Sequence, residues 1–244
     1  MTRVERAFVW AGGVMFVTSL AVCAHFYLIV WERPVAHAVA LGGRDTYVIA
    51  RGYAIPLREI VIDVLLVTVF AAHHSIFARD RVKAALAEVV PARLLRSVYV
   101  WIAGVLLILV CLAWRSIGGD LYDATGPGAV AHAAIQLAGV WIIARAVARI
   151  DPLELAGIRP LSASGGLQTL GVYRWVRHPL YFGWVLAVFG AAHMTGDRLA
   201  FAAITTVYLV VAVPWEERSL MRTFGEDYAR YMREVKWRMM PLIY

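Results

Sequence analysis

The chain has 244 residues, of which 61% are hydrophobic and 17% charged, and its formal net charge is +7. A soluble domain carries about a quarter charged residues, and here the apolar residues fall in long blocks rather than at helical or strand spacing. That excludes an ordinary soluble domain, and the lack of short alternating segments excludes a membrane β-barrel, leaving an all-α, polytopic membrane protein.

Six apolar segments approach the roughly 20 residues that cross a bilayer core of about 30 Å. They run at about 8–31, 58–78, 97–114, 128–150, 179–195 and 199–215. The first is too long for the apolar part of a signal peptide. It runs into Trp31-Glu32-Arg33-Pro34 with no small-residue cleavage pattern, so a retained helix is expected. Between the second and third segments, residues 80–96 mix Arg81, Lys83 and Arg93 with Val82, Leu86, Leu94 and Leu95, the pattern of an interfacial helix. The last two segments are separated by Gly196-Asp197-Arg198, which predicts a tight helical hairpin. In residues 216–236, Leu220, Phe224, Tyr228 and Tyr231 share one face, predicting a C-terminal amphipathic surface helix. Cys23 and Cys111 lie inside apolar blocks and read as small core residues rather than a disulfide or metal pair.

With the N-terminus in the cytoplasm, 18 of the 24 Lys and Arg fall in cytoplasmic parts. The positive-inside rule therefore places both termini in the cytoplasm, as expected of a multi-pass protein of a bacterial inner membrane. The positive charge suits anionic lipid. It flanks membrane segments and forms no base-reading module, so nucleic acid is not an expected partner.

Chemistry concentrates in residues 171–183, Gly-Val-Tyr-Arg-Trp-Val-Arg-His-Pro-Leu-Tyr-Phe-Gly, and in the Glu216-Glu217 pair one hairpin later. Polar groups at the edge of apolar segments are costly and tend to mark a site. Pro179 suits the first turn of a helix, which sets Arg177 and His178 at that helix's positive end. Such an end, with a guanidinium beside it, suits a carboxylate or phosphate. Tyr173 and Tyr181 supply aromatic surface for a flat ring or a cation. Gly165, Gly166 and Gly171 permit close backbone approach. Glu216 and Glu217 suit a sulfonium, an ammonium or ribose hydroxyls. A zwitterion with a carboxylate, a cationic centre and an aromatic base fits all of these, and S-adenosylmethionine has each. The blander alternative is that Arg177 reaches toward headgroups and the glutamates begin a surface helix.

The order Tyr173…Arg177-His178-Pro179-x-Tyr181-x-Gly183, then Glu216-Glu217-x-x-Leu220-x-x-x-Phe224-Gly225-x-x-Tyr228-x-x-Tyr231, resembles the isoprenylcysteine carboxyl methyltransferase superfamily, to which phospholipid N-methyltransferases are related. The resemblance covers about the last 75 residues. It implies an integral membrane enzyme that binds S-adenosylmethionine at the cytoplasmic ends of its C-terminal helices without a Rossmann domain. By resemblance, Tyr173, His178, Pro179, Leu180, Tyr181 and Glu216 contact the cofactor, with Gly165, Gly166, Leu167 and Gln168 lining its pocket and Gly171 and Gly183 beside it. A weaker resemblance, to methanethiol S-methyltransferases and NnrU-like proteins, rests on four segments. These are Phe70-Ala71-Ala72-His73-His74-Ser75-Ile76-Phe77-Ala78-Arg79, Arg96-Ser97-x-Tyr99, Trp114-Arg115-x-Ile117-Gly118-Gly119, and Ile150-Asp151-Pro152-Leu153-Glu154-Leu155-x-Gly157. Isoprenylcysteine enzymes carry an arginine about four residues before the first motif glutamate. Ala212 stands there in this chain, and a buried carboxylate without a cation would be costly. A small thiol or other neutral acceptor fits better.

One of His73 and His74, with His74 the candidate, either deprotonates or orients the acceptor or caps and packs a helix end. Metal binding is not expected, since adjacent histidines on a helix diverge by about 100° and no His-x-x-x-His or Cys-x-x-Cys spacing occurs. Arg145 and Arg149, four residues apart, either line the cofactor entrance or reach to headgroups. The resulting expectation is a single membrane domain over 1–244, with N-terminal helices in 1–150 and a cofactor-binding region in 151–244. Arg177, His74 and Glu217 are its candidate catalytic residues, and its acceptor is a small or lipid-like molecule. Lipid-amine or prenylcysteine methylation, an NADPH reductase of the sterol-reductase type and a non-catalytic NnrU-like accessory role stay as alternatives. Oligomeric state is not encoded legibly.

Overall fold

The computed structural model describes residues 1–32, 56–77, 79–150, 152–159 and 166–244. Gly165, and with it Ala78 and Asp151 of the N-terminal motifs, lies outside the described residues. Among them, five helices are long and apolar enough to cross a membrane, and Pro179–Phe189 is a shorter apolar helix. The chain is an α-helical multi-pass membrane protein. It divides into two compact units, the first comprising Met1–Gly119, Pro152–Ala163 and Thr195–Asp197, the second Asp120–Asp151, Ser164–Met194 and Arg198–Tyr244.

In the first unit, α1 (Arg3–His25) opens with a capping box. Glu5 N–H donates to the Thr2 hydroxyl and Thr2 N–H to the Glu5 carboxylate. The helix continues into a π-helical turn, Phe26–Val30. Helices α2 (Leu57–Phe77) and α4 (Leu95–Ala113) follow, with both α1 and α2 packed on α4. The expected interfacial stretch folds as α3 (Asp80–Ala87), with Val82 and Leu86 half-buried and Arg81 and Lys83 exposed, and a 3-10 turn, Ala92–Leu94. Cys23 and Cys111 are buried free thiols.

Two joints explain the N-terminal motifs. Ser97 Oγ donates to Gly157 O at 2.7 Å and Arg96 Nε to Glu154 O at 3.1 Å, tying α4 to the short α6 (Pro152–Leu155) and its exit. Gly157 has φ +71°, and a Cβ there would lie 2.8 Å from Val100, so only glycine fits. At the second joint the Asp197 carboxylate accepts Trp114 Nε1, Ile117 N–H, Gly118 N–H and Ser116 Oγ. Asp63 accepts Arg115 N–H in the same turn. Asp63 and Asp197 are fully buried; the four donors around Asp197 are what a buried carboxylate needs, whereas the second oxygen of Asp63 has no hydrogen bond among the described residues.

The second unit holds α5 (Gly126–Val147), a 3-10 turn at Gly171–Arg174, α7 (Pro179–Phe189), α8 (Gly196–Phe224, whose first two residues count with the first unit) and α9 (Glu226–Glu234). Strands β1 (Asp120–Asp123) and β2 (His193–Thr195) pair in a two-stranded sheet. Helix α5 crosses α7 at Gly139 and Gly183, where a Cβ on Gly139 would meet Ala187 N and Gly183 O at 2.5 Å.

Two boundaries differ from the sequence expectation. Helix α7 ends at Phe189 instead of continuing to 195, because Gly190 closes it and the chain turns into β2. Helix α8 runs unbroken through Glu216-Glu217 to Phe224, so the glutamates do not begin a surface helix. Glu, Arg, Leu and Met after Trp215 are good helix formers, and the first breaker is Gly225, with φ +52°, just ahead of α9.

Candidate active site

The second unit gathers the polar residues of both C-terminal motifs. Pro179 opens α7 and is buried, so Arg177 and His178 leave the 3-10 turn directly onto that helix's N-terminus. Adjacent residues on a helix point about 100° apart, and the two glutamates of α8 show it. The Glu217 side chain is 7% exposed and faces Arg177, whereas that of Glu216 is 43% exposed.

Arg177 is the centre of a buried network. Its Nε donates to Glu217 Oε1 at 2.6 Å and its Nη1 to the carbonyls of Val235 and Lys236 at 2.8 and 2.9 Å. Its backbone N–H donates to Trp237 O, and that of His178 to Arg238 O. The second oxygen of Glu217 lies 3.1 Å from Arg238 Nε. A buried ion pair holds only when its remaining polar atoms are satisfied, and the chain after α9 supplies those partners. Lys236, Trp237 and Arg238 carry no periodic or motif signal in the sequence, so this part of the site was not legible there.

His178 is buried between the two glutamates. Its Nδ1 is 3.5 Å from Glu216 Oε2 and its Nε2 3.5 Å from Glu217 Oε1. Its ring stacks on that of Tyr181, with centroids 5.4 Å apart and planes 6° from parallel. The Tyr181 hydroxyl donates to Glu216 at 2.8 Å. Burial pushes the imidazole pKa down, but hydrogen bonding and charge from Glu216 and Glu217 outweigh it and hold the pKa above its ordinary value. His178 Nε2 is buried, with the Glu217 carboxylate 3.5 Å away and no shorter partner among the described residues.

Tyr173 and Leu167 pack against a cluster of Tyr228, Tyr231 and Val235, and the Tyr231 hydroxyl donates to Tyr173 O at 2.7 Å. Burial, then the Glu216 charge, pushes the Tyr173 hydroxyl pKa up, so it stays protonated. Gln168 Nε2 donates to Gly166 O, and a Cβ on Gly166 would meet nothing within 4 Å. Gly171 has φ +68° and sits beside the Arg149 guanidinium. Leu180 is half-buried in the first turn of α7. Gly183 is taken up by the α5–α7 crossing.

His74 belongs to the first unit. The Tyr99 hydroxyl hydrogen-bonds its Nδ1, and the Tyr99 ring stacks on His73. His73 Nε2 also lies 3.3 Å from Tyr99 O. The structure thus joins Arg177, His178, Tyr181, Glu216 and Glu217 in one cluster with Tyr173 and Leu167 beside it, and sets His74 in a separate aromatic one. Among the described residues no group of His, Cys, Asp and Glu is arranged to hold a metal ion.

Residues 130–227 match the phospholipid methyltransferase family. Over 215 residues the chain is 34% identical to a methanethiol S-methyltransferase of Mycobacterium tuberculosis, covering 82% of this chain and 88% of that protein. It is likewise 34% identical to methanethiol S-methyltransferase 2 of Bradyrhizobium diazoefficiens, covering 82% and 83%. A shorter likeness, 35% over 77 residues, links it to a protein-S-isoprenylcysteine O-methyltransferase of Xenopus laevis, covering 30% of this chain and 27% of that one. No solved structure matches the chain. The chain belongs to the isoprenylcysteine and phospholipid methyltransferase superfamily of integral membrane enzymes, and within it to the family of the methanethiol S-methyltransferases.

Proposed function

We propose that this membrane methyltransferase takes S-adenosylmethionine as donor and a small thiol, of the methanethiol class, as acceptor. The observation that carries the donor reading is the split between the two glutamates. Glu217 is consumed by buried arginine, while Glu216 is half-exposed beside a Tyr181–His178 stack. A carboxylate, an aromatic face and an imidazole held toward its charged form suit a ligand with a cationic centre, a flat ring and a carboxylate. S-adenosylmethionine, when bound, supplies an electrophilic methyl group on sulfur.

The residues divide by task. Glu216 and Tyr181 bind the polar and cationic parts, and His178 meets a carboxylate. Tyr173, Leu167, Leu180 and Pro179 shape the apolar walls, with Gly166, Gln168 and Gly171 at the approach. Arg177 and Glu217 hold His178 and Glu216 in place. His74, hydrogen-bonded at Nδ1 by Tyr99, is the candidate group for taking up the thiol proton, since the thiolate is the reactive form. Holding two reactants in line and excluding water then supplies most of the acceleration. The likeness to two methanethiol S-methyltransferases supports the thiol, and Ala212, one turn before Glu216, offers no cation for a carboxylate acceptor. The charge asymmetry supports both termini in the cytoplasm of a bacterial inner membrane.

Incubation of the purified protein with methyl-labelled S-adenosylmethionine and a panel of thiols, amines and prenylcysteines tests this. Labelled thioether from the small thiols is the expected product. Product from amines or prenylcysteines alone would overturn the acceptor, and tight binding of NADPH with none of S-adenosylmethionine would overturn the donor.

A further inference from the structure

We infer that Arg238, in the segment that follows α9, is a positioning residue for the cofactor site, acting on bound ligand only through Glu217 and His178. The inference rests on reading this cluster as the S-adenosylmethionine site. The two oxygens of Glu217 are divided between two cations, with Oε1 taking Arg177 Nε at 2.6 Å and Oε2 facing Arg238 Nε at 3.1 Å. Arg238 is itself anchored. Its Nη1 donates to the Tyr244 hydroxyl at 3.2 Å, and its guanidinium lies 5.2 Å from the Tyr244 ring centroid. Tyr244 in turn accepts from the Met239 and Met240 N–H groups, so the segment closes on itself. Its backbone is tied to the site by Arg177 N–H to Trp237 O and His178 N–H to Arg238 O, at 2.9 and 2.8 Å.

This geometry does more than brace the chain. Five elements bring charged or titratable groups to His178 or to the glutamates beside it: Glu216 and Glu217 from α8, Arg177 from the preceding turn, Tyr181 from α7, Tyr228 from α9 and Arg238 from the C-terminal segment. Arg238 competes with His178 for the Glu217 carboxylate. Removing its charge leaves Glu217 more fully available to the imidazole, so His178 holds its proton to higher pH. A segment that only braced the fold would change stability and leave that titration where it was.

The test uses the full-length protein in nanodiscs, as wild type, R238Q and R238K, with two readouts. Imidazole NMR of cofactor-free protein follows the His178 midpoint, and calorimetry follows S-adenosylmethionine affinity. R238Q is expected to move the midpoint to higher pH and to weaken the cofactor Kd about three- to tenfold, the range for a half-exposed partner of a buried charge. R238K is expected to restore both. If R238Q fails to fold, Tyr244→Phe, which removes only the hydroxyl anchor, is expected to shift both readouts the same way by less. Unchanged midpoint and Kd in R238Q would overturn the inference. Weaker binding with an unmoved midpoint and no rescue by lysine would overturn it too, since that is the result of bracing alone. If the wild type binds no S-adenosylmethionine, the donor reading fails, and the His178 midpoint still decides whether Arg238 acts on this cluster.

Discussion

Glu216 and Glu217 share a side-chain chemistry and differ only in where one helix points them. Glu217 compensates a buried guanidinium, so Glu217→Ala leaves Arg177 uncompensated and is expected to cost about 3–5 kcal/mol, seen as a lower unfolding temperature together with lost cofactor binding. Glu216→Gln touches no buried charge pair of comparable depth. It is expected to raise KM for the donor about tenfold while the unfolding temperature stays within about 2 °C of wild type. Equal loss of stability in both variants would show that the division of labour is wrong. His178 adds a pH dependence. Its pKa is raised in the folded state, so its contribution is complete below the ordinary value of about 6.5 and is lost as pH rises through the higher folded value. Unfolding temperature is expected to fall from neutral toward alkaline pH, and His178→Gln to flatten that slope.

Among the elements, the α5–α7 crossing and the joints of the first unit are set by single small or polar residues. Gly183 carries a cofactor expectation from the motif, but its lack of a side chain is already required by helix packing, since a Cβ there would meet Gly139 O at 2.7 Å. Gly183→Val is therefore expected to lower the unfolding temperature, with cofactor affinity falling only in step with the folded fraction. Ser97→Ala removes the bond to Gly157 O and leaves a buried acceptor, at a cost of about 1–3 kcal/mol. Thermal unfolding checks it, with the donor Kd expected to stay unchanged. The Arg96-Ser97 and Trp114–Gly119 motifs thus have a packing explanation that needs no substrate. In sequence they look as chemical as the Arg177-His178-Pro179 motif, because hydrogen-bonding residues mark a joint and a site alike.

For the whole molecule, the sequence by itself determined the solvent. Apolar blocks of near-bilayer length leave helices as the only way to satisfy the backbone, so the all-α multi-pass architecture followed from composition and block length. The Arg177-His178-Pro179 and Glu216-Glu217 motifs were likewise legible, through the order and spacing of their residues. Helix ends were less so. Helix α8 runs on past Trp215 to Phe224, and the partners that its Glu217 finds, Arg177 and Arg238, lie 40 and 21 positions away in the chain. Only the tertiary structure decided which glutamate is buried, which arginine it pairs with, and that the residues after α9 supply partners to that pair. Those outcomes are long-range pairings of charge in an apolar surrounding, and a one-dimensional pattern holds no record of which distant partner will neutralise a buried group.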